Sequence, residues 1–161
     1  MWIKDYMVTN FTPIGPEATL PDAVKKMVEK KINSMIVVDE TGRPIGLVSS
    51  QILIKEVVPA YLKDDPVFSQ FGAEGTFDVY AQKAKDRKIK DFMYRDFHII
   101  NENDAMIEVA SYMVEGERRT SPVVNEAGKV VGIITRTCIK NALHNAIFKD
   151  NPIDPKNGGG C

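Results

Sequence analysis

Two hydroxyls and two arginines are the residues of this chain best placed for chemistry. Ser49 and Thr135 each close a short apolar run, Ile45–Val48 and Val130–Ile134, and each precedes a stretch with helical spacing. A hydroxyl there sits beside the unpaired backbone N–H groups and positive dipole end of a helix, which suits a phosphate or ribose oxygen. Arg136 directly follows Thr135, and Arg119 precedes Thr120-Ser121-Pro122. Guanidinium groups pair with phosphate through parallel hydrogen bonds. N-capping alone also accounts for both hydroxyls, and the two roles are compatible. Arg118, Arg119 and Arg136 read equally well as solvated surface.

No nucleophile–base constellation joins these residues. His98 and His144 stand alone, without the spacing of metal ligands. Met7, Met27, Met93 and Met113 follow helical spacing and read as core rather than as soft-metal ligands. Gly42 and Gly128 are turn residues with no phosphate-loop pattern around them. Asp64-Asp65 is a loop charge pair on a solvated edge. The chemistry expected is binding, without catalysis and without a metal.

The elements that must position these residues come in two copies. Residues 3–54 align with 89–140 at a constant offset of 86, without gaps, and 14 of the 52 pairs are identical. Background residue frequencies would give ~3 matches. The identities include Ile3-Lys4-Asp5 with Ile89-Lys90-Asp91, Met7 with Met93, Met27-Val28-Glu29 with Met113-Val114-Glu115, and Gly46 with Gly132. Two such units bury together what neither buries alone, and a cleft between near-equivalent halves suits a small molecule.

Within each copy, Leu20, Ala23, Val24, Met27 and Val28 fall on one helical face, repeated as Met106, Val109, Ala110, Met113 and Val114. Thr19 with Asp22 makes a capping box. Its place in the second copy falls to Asp104, because Ala105 replaces the threonine. Runs at Met35–Val38 and Ile45–Val48, and at Pro122–Val124 and Val130–Ile134, predict hairpins around Gly42 and Gly128. Helices follow over 50–62 and 136–148, and extended pieces near Thr12–Gly15 and His98–Asn101 precede each first helix. The fold class expected is α+β, two β-α-β-β-α repeats about a pseudo-two-fold axis. Their bounds are 1–62 and 89–148, with a partly helical linker over 63–88 and a disordered tail over 149–161. In the linker, Phe77, Tyr80 and Ala84 share one side of a helix.

Net charge is −1, from 21 basic and 22 acidic residues, which gives no electrostatic case for nucleic acid or an anionic membrane. No segment approaches the ~18 apolar residues of a membrane span, and the N-terminus lacks a signal-peptide core. A cytoplasmic location is the expectation. Cys138 reads as a small buried hydrophobe, and Cys161 ends a Gly158-Gly159-Gly160 tail, so no disulfide framework is indicated.

The order of elements, with Val-Val-(Asp/Asn)-Glu-x-Gly followed by Gly-h-h-(Ser/Thr), resembles the CBS domain family, named for cystathionine β-synthase. Two in tandem form the CBS pair, or Bateman module. The second copy resembles it best, through Arg118-Arg119-Thr120-Ser121-Pro122-Val123-Val124-Asn125 and Gly132-Ile133-Ile134-Thr135-Arg136. The first has Ser34-Met35-Ile36-Val37-Val38-Asp39, with Ile36 where proline is usual. The resemblance implies a stand-alone regulatory module that binds AMP, ADP, ATP or S-adenosylmethionine between the repeats and requires no cofactor.

It further implies a homodimer acting on an unidentified regulated protein. Backbone near Ile14, Ser34, Ile36, Ile100, Thr120 and Pro122 would read an adenine edge. Ser49, Thr135, Arg119 and Arg136 would face ribose or phosphate. The family's ribose-binding aspartate, three residues after the hydroxyl, is Ile52 in one copy and Cys138 in the other. Losing a charged hydrogen bond of about 1.5–3 kcal/mol weakens binding about ten- to a hundredfold, and the second copy, which keeps Thr135 with Arg119 and Arg136, is the expected anion site. The other reading is a protein-interaction or dimerisation module without a ligand.

Overall fold

The computed structural model describes residues 1–58, 66–116 and 119–156, with backbone alone at 67–69, 71 and 73. Asp64-Asp65, Arg118 and the Gly158–Cys161 tail lie outside the described residues. In chain order the elements are α1 (Ile3–Tyr6), β1 (Pro13–Ile14), α2 (Leu20–Lys30), β2 (Ser34–Val38), β3 (Pro44–Ser49), α3 (Ser50–Val57) and α4 (Pro66–Ala84). The second half continues with α5 (Ile89–Phe92), β4 (Ile100–Asn101), α6 (Met106–Glu115), β5 (Thr120–Val124), β6 (Val130–Thr135) and α7 (Arg136–Ile147). Among the described residues no helix is long and apolar enough to cross a membrane.

Two compact units result. The first comprises Pro13–Val37 and the described part of Ile45–Arg95; the second comprises Met1–Thr12, Val38–Pro44 and the described residues from Asp96 on. Each contains a three-stranded sheet, in the orders β1-β2-β3 and β4-β5-β6. β1 runs parallel to β2 with Ile14 opposite Val37, and β4 runs parallel to β5 with Ile100 opposite Val123. β5 and β6 are antiparallel, with a register shift between Val123 and Val124.

Local chemistry explains the turns. Asp39 Oδ1 accepts the N–H groups of Thr41 (2.9 Å) and Arg43 (3.0 Å), while Gly42 takes φ 83°. Asn125 plays the same part towards Lys129 (3.1 Å), with Gly128 at φ 77°. A short acceptor at the first turn position and glycine where φ is positive are what such a loop demands. The Thr41 hydroxyl and the Arg43 N–H hold the Asp39 carboxyl below its ordinary pKa. At α2 the capping box forms as its spacing predicts, and the Thr19 hydrogen bonds lower the Asp22 pKa.

The short lead-in helices cross between repeats. α1, from the start of the chain, packs in the second unit: Ile3, Tyr6 and Met7 join Ile100, Met106, Val109, Met113, Val123 and Ile134 in its core. α5, which opens the second repeat, packs in the first unit, where Ile89 and Met93 join Ile14, Leu20, Met27, Met35, Val37 and Val48. Backbone pairing fixes each crossing, Val8 with Ile133 and Leu47 with Tyr94. The repeated glycines make room for it. A Cβ on Gly132 would stand 2.7 Å from the Val8 carbonyl oxygen and 2.9 Å from Met7 Sδ, and one on Gly46 would stand 2.5 Å from Met93 Sδ.

Several expectations change. The apolar stripes are only half buried: Leu20, Ala23 and Met27 are inside, but Val28 is 72% exposed, and Val114 on α6 is 79% exposed. Asp104 does not cap α6. Its carboxylate turns back to accept the Asn101 N–H (2.8 Å), and Ala105 stands at the N-cap with no side-chain bond. In α4 the inward face is Thr76 and Ala84 at spacing i and i+8, with Phe77 outside. A kink at Gly72, whose carbonyl accepts the Thr76 hydroxyl, sets that face.

Candidate functional site

In the second unit Thr120 stands directly opposite Thr135 across β5 and β6. Opposed residues of an antiparallel pair share one face of the sheet. The register therefore brings Arg119, just before β5, to the same end as Arg136, the first residue of α7; both are exposed. Thr135 Oγ1 accepts the Cys138 N–H (3.4 Å) and lies 3.3 Å from Cys138 Sγ. One hydroxyl lone pair is thus committed to capping, and the remaining N-terminal N–H groups of the helix share this end with two guanidinium groups. The arrangement can hold an anion.

The matching end of the first unit is built differently. Ser49 Oγ accepts the Ile52 N–H (3.3 Å) and caps α3 as Thr135 caps α7. At the positions equivalent to Arg119 and Arg136 stand Asn33 and Ser50, and these bond to each other. The Ser50 hydroxyl donates to the Asn33 carbonyl (3.3 Å) and to Asn33 Oδ1 (3.2 Å), and the Ser50 N–H donates to the same carbonyl (2.9 Å). A neutral, closed contact occupies the place where the second unit carries two cations.

The other expected residues divide by depth. Ser34 opens β2 and is half-buried. Ile14 and Ile100 are core residues, so their side chains face inward and only their backbone can meet a ligand. Ile36 and Pro122 are buried on the sheet faces opposite Met35 and Val37 and opposite Val123. Cys138, at the position of the family's ribose-binding aspartate, is fully buried among Ile134 and Ala142. Ile52 is half-buried and carries no acceptor.

Two polar groups escaped sequence reasoning. Ser121 is fully buried and Asn141 nearly so, and among the described residues Ser121 Oγ and Asn141 Nδ2 have no hydrogen-bond partner. Their signal was the mismatch in the repeat, since the position equivalent to Ser121 is Met35.

Comparison with known proteins identifies the family. The CBS domain family matches residues 3–59 and 89–145. The CBS domain-containing protein CBSX1 of Arabidopsis thaliana, chloroplastic by name, is 27% identical over 129 residues, covering 76% of this chain and 55% of its own length. CBSX2 of the same plant is covered over 60%, so the chain spans a little over half of these relatives. The solved structure of CBSX2 in complex with AMP superposes with a TM-score of 0.68 at 23% identity, over 91% of this chain and 98% of that one. The CBS domain pair of protein MJ0100, solved with 5′-methylthioadenosine and S-adenosyl-L-methionine, gives 0.66 at 21% identity, over 91% and 98%. At such identities the likeness is one of fold. With both repeats matched in order, the chain belongs to the CBS domain family, as a tandem pair.

Proposed function

We propose that this chain is a regulatory module, not an enzyme, that senses an adenosine-containing nucleotide or a similar anionic metabolite. Its anion is held at the end of the second unit by Arg119, Arg136 and the α7 N-terminus behind Thr135. The observation that carries this reading is the Thr120–Thr135 register, which sets both arginines at a capped helix start. The complexes of CBSX2 with AMP and of MJ0100 with S-adenosylmethionine support the ligand class. Backbone near Ile100, Thr120 and Pro122 of the same unit supplies the adenine contacts, and no cofactor is required.

The module works in the cytoplasm as a homodimer and passes ligand state to a regulated protein, with a coupling of about 1–3 kcal/mol, as is usual for allosteric effects. Exposed Val24 and Val28 on α2, and Ile107 and Val114 on α6, supply apolar helix faces for the second copy. Val28→Glu with Val114→Glu turns the dimer into a monomer in sedimentation.

The test of ligand binding is thermal unfolding with AMP, ADP, ATP and S-adenosylmethionine. Ligand at a hundred times its dissociation constant adds about 2.7 kcal/mol and raises the Tm visibly. The second reading, an interaction module without a ligand, draws on Ile52 and the buried Cys138, neither of which can hold a ribose diol. A flat panel with folded protein selects it.

A further inference from the structure

The segment after α7 is held by one side chain. Asn145, in the last turn of α7, accepts the Ile153 N–H on Oδ1 (2.8 Å) and donates from Nδ2 to the Ile153 carbonyl (2.9 Å). A carboxamide carries the same donor–acceptor pair as a peptide group, so Asn145 captures residue 153 much as a neighbouring strand would. The same Nδ2 also donates to the Tyr6 hydroxyl (3.2 Å) of α1. The loop is shaped to deliver Ile153. The Asn151 N–H closes on the Phe148 carbonyl (3.0 Å), Pro152 fixes its own φ, and beyond Pro155 the Lys156 N–H folds back on Asp154 Oδ1 (2.9 Å). Such restraint lowers the entropy lost on docking.

The first repeat lacks the two side chains that make this latch. The equivalents of Asn145 and Tyr6 are Pro59 and Phe92, which have neither the amide nor the hydroxyl. We propose that residues 149–156 are a strap latched by Asn145, and that through Tyr6 the latch pins lead-in helix α1 onto the second unit. α1 is a single turn whose other holds include the Val8–Ile133 and Trp2–Ala105 pairings, the Ile3 and Lys4 backbone bonds, the Lys4–Asn103 contact and its buried side chains. It is also the piece of the second unit from which the chain runs directly into β1 of the first. Undocking the strap therefore loosens α1.

Amide hydrogen exchange on the full chain tests the latch. The Ile153 amide is protected, and Asn145→Ala raises its exchange about tenfold or more, together with the Met7 and Val8 amides. Tyr6→Phe leaves Ile153 protected and raises only Met7 and Val8. A chain ending at Phe148 keeps α7 and its neighbours intact, so it guards against misfolding of Asn145→Ala, and it too raises exchange at Met7 and Val8. An unprotected Ile153 in the intact chain, or one unmoved by Asn145→Ala, overturns the latch. Unmoved Met7 and Val8 in the shortened chain overturn its hold on α1.

Discussion

Where β3 runs into α3 the first unit carries Asn33 and Ser50, and where β6 runs into α7 the second carries Arg119 and Arg136. Both places are built on the same frame: a hydroxyl N-cap at the strand end, a bond to the N–H three residues on, and a β-strand start alongside. In the first unit a hydroxyl and an amide satisfy each other, and little remains to recruit an anion. In the second, two guanidinium groups belong to residues at one sheet end. Duplication supplied the frame twice, and two positions in each copy decide which end is closed and which is open.

The sharpest way to break this comparison is to exchange the ends. Arg119→Ala with Arg136→Ala removes two charge-assisted contacts of about 1.5–3 kcal/mol each, so AMP or S-adenosylmethionine affinity falls about a hundredfold or more in calorimetry. Both side chains are exposed, so the Tm of the unliganded protein barely moves. Asn33→Ala with Ser50→Ala leaves affinity unchanged. Equal losses from both pairs would erase the asymmetry and move the site.

The frame was legible because its signals are local. The capping box at Thr19 and Asp22, the Asp39 and Asn125 turns with their glycines, and the hydroxyls before α3 and α7 are each read within a few residues. The crossing of the lead-ins was not. A fixed offset aligns Met7 with Met93 and Gly46 with Gly132, but it cannot say whether Met7 meets Gly46 or Gly132; the structure chooses the far partner each time. Val28 and Val114 were misread for a related reason. They continue an apolar stripe, and periodicity does not distinguish a face turned to the core from one left exposed. Ser49 and Thr135 cap α3 and α7 as their place before a helical stretch suggested. Ile14 and Ile100 turn their side chains into the cores, which leaves the backbone as the part of them a ligand could meet.

The crossings offer the next contrast. Gly132→Ala drives a methyl group against the Val8 carbonyl, which the Val8–Ile133 pairing holds in place, and costs about 1–3 kcal/mol in chemical denaturation. Gly46→Ala meets the Met93 side chain instead, and a methionine can rotate its sulfur away, so the cost is smaller. A larger loss at Gly46 would show that the Met93 side chain is the more rigid wall.

The cores also differ at a buried hydroxyl. Met35 fills the first unit where Ser121 stands in the second, buried and without a partner among the described residues. Ser121→Ala removes an unsatisfied group while keeping the volume nearly constant, so it raises stability by about 1 kcal/mol. Met35→Ala, which instead opens space in a packed core, lowers it by about 2–5 kcal/mol. A loss of stability on Ser121→Ala would mean that the hydroxyl has a partner, with ordered water the natural one.

The smallest effect concerns pH, and it arises from another pair of equivalent positions. In the first unit Glu17 receives Lys88 and Lys90, both at 2.8 Å, and these hydrogen bonds lower its pKa from 4.5 to about 2. In the second unit the same clamp is Lys4 on Asn103, at 3.2 Å, with a neutral acceptor. A carboxylate with a depressed folded-state pKa stabilises fully above its unfolded value, and that contribution fades as pH falls from about 4.5 towards 2. The clamp on α5 therefore loosens with acid, while the clamp on α1 does not. These groups are exposed and screened by salt, so the change is local and small. It is read from the exchange of the Ile89 and Lys90 amides, which donate to Ala18 and Pro16 beside Glu17, against the Ile3 and Lys4 amides of the second unit. Local amides are needed because Asp22 and Asp39, elsewhere in the molecule, are also held below their ordinary pKa by hydrogen bonds. Glu17→Gln abolishes the acid response at α5, and Asn103→Glu confers one on α1. A response at α5 that survives Glu17→Gln would show that the clamp is not its source.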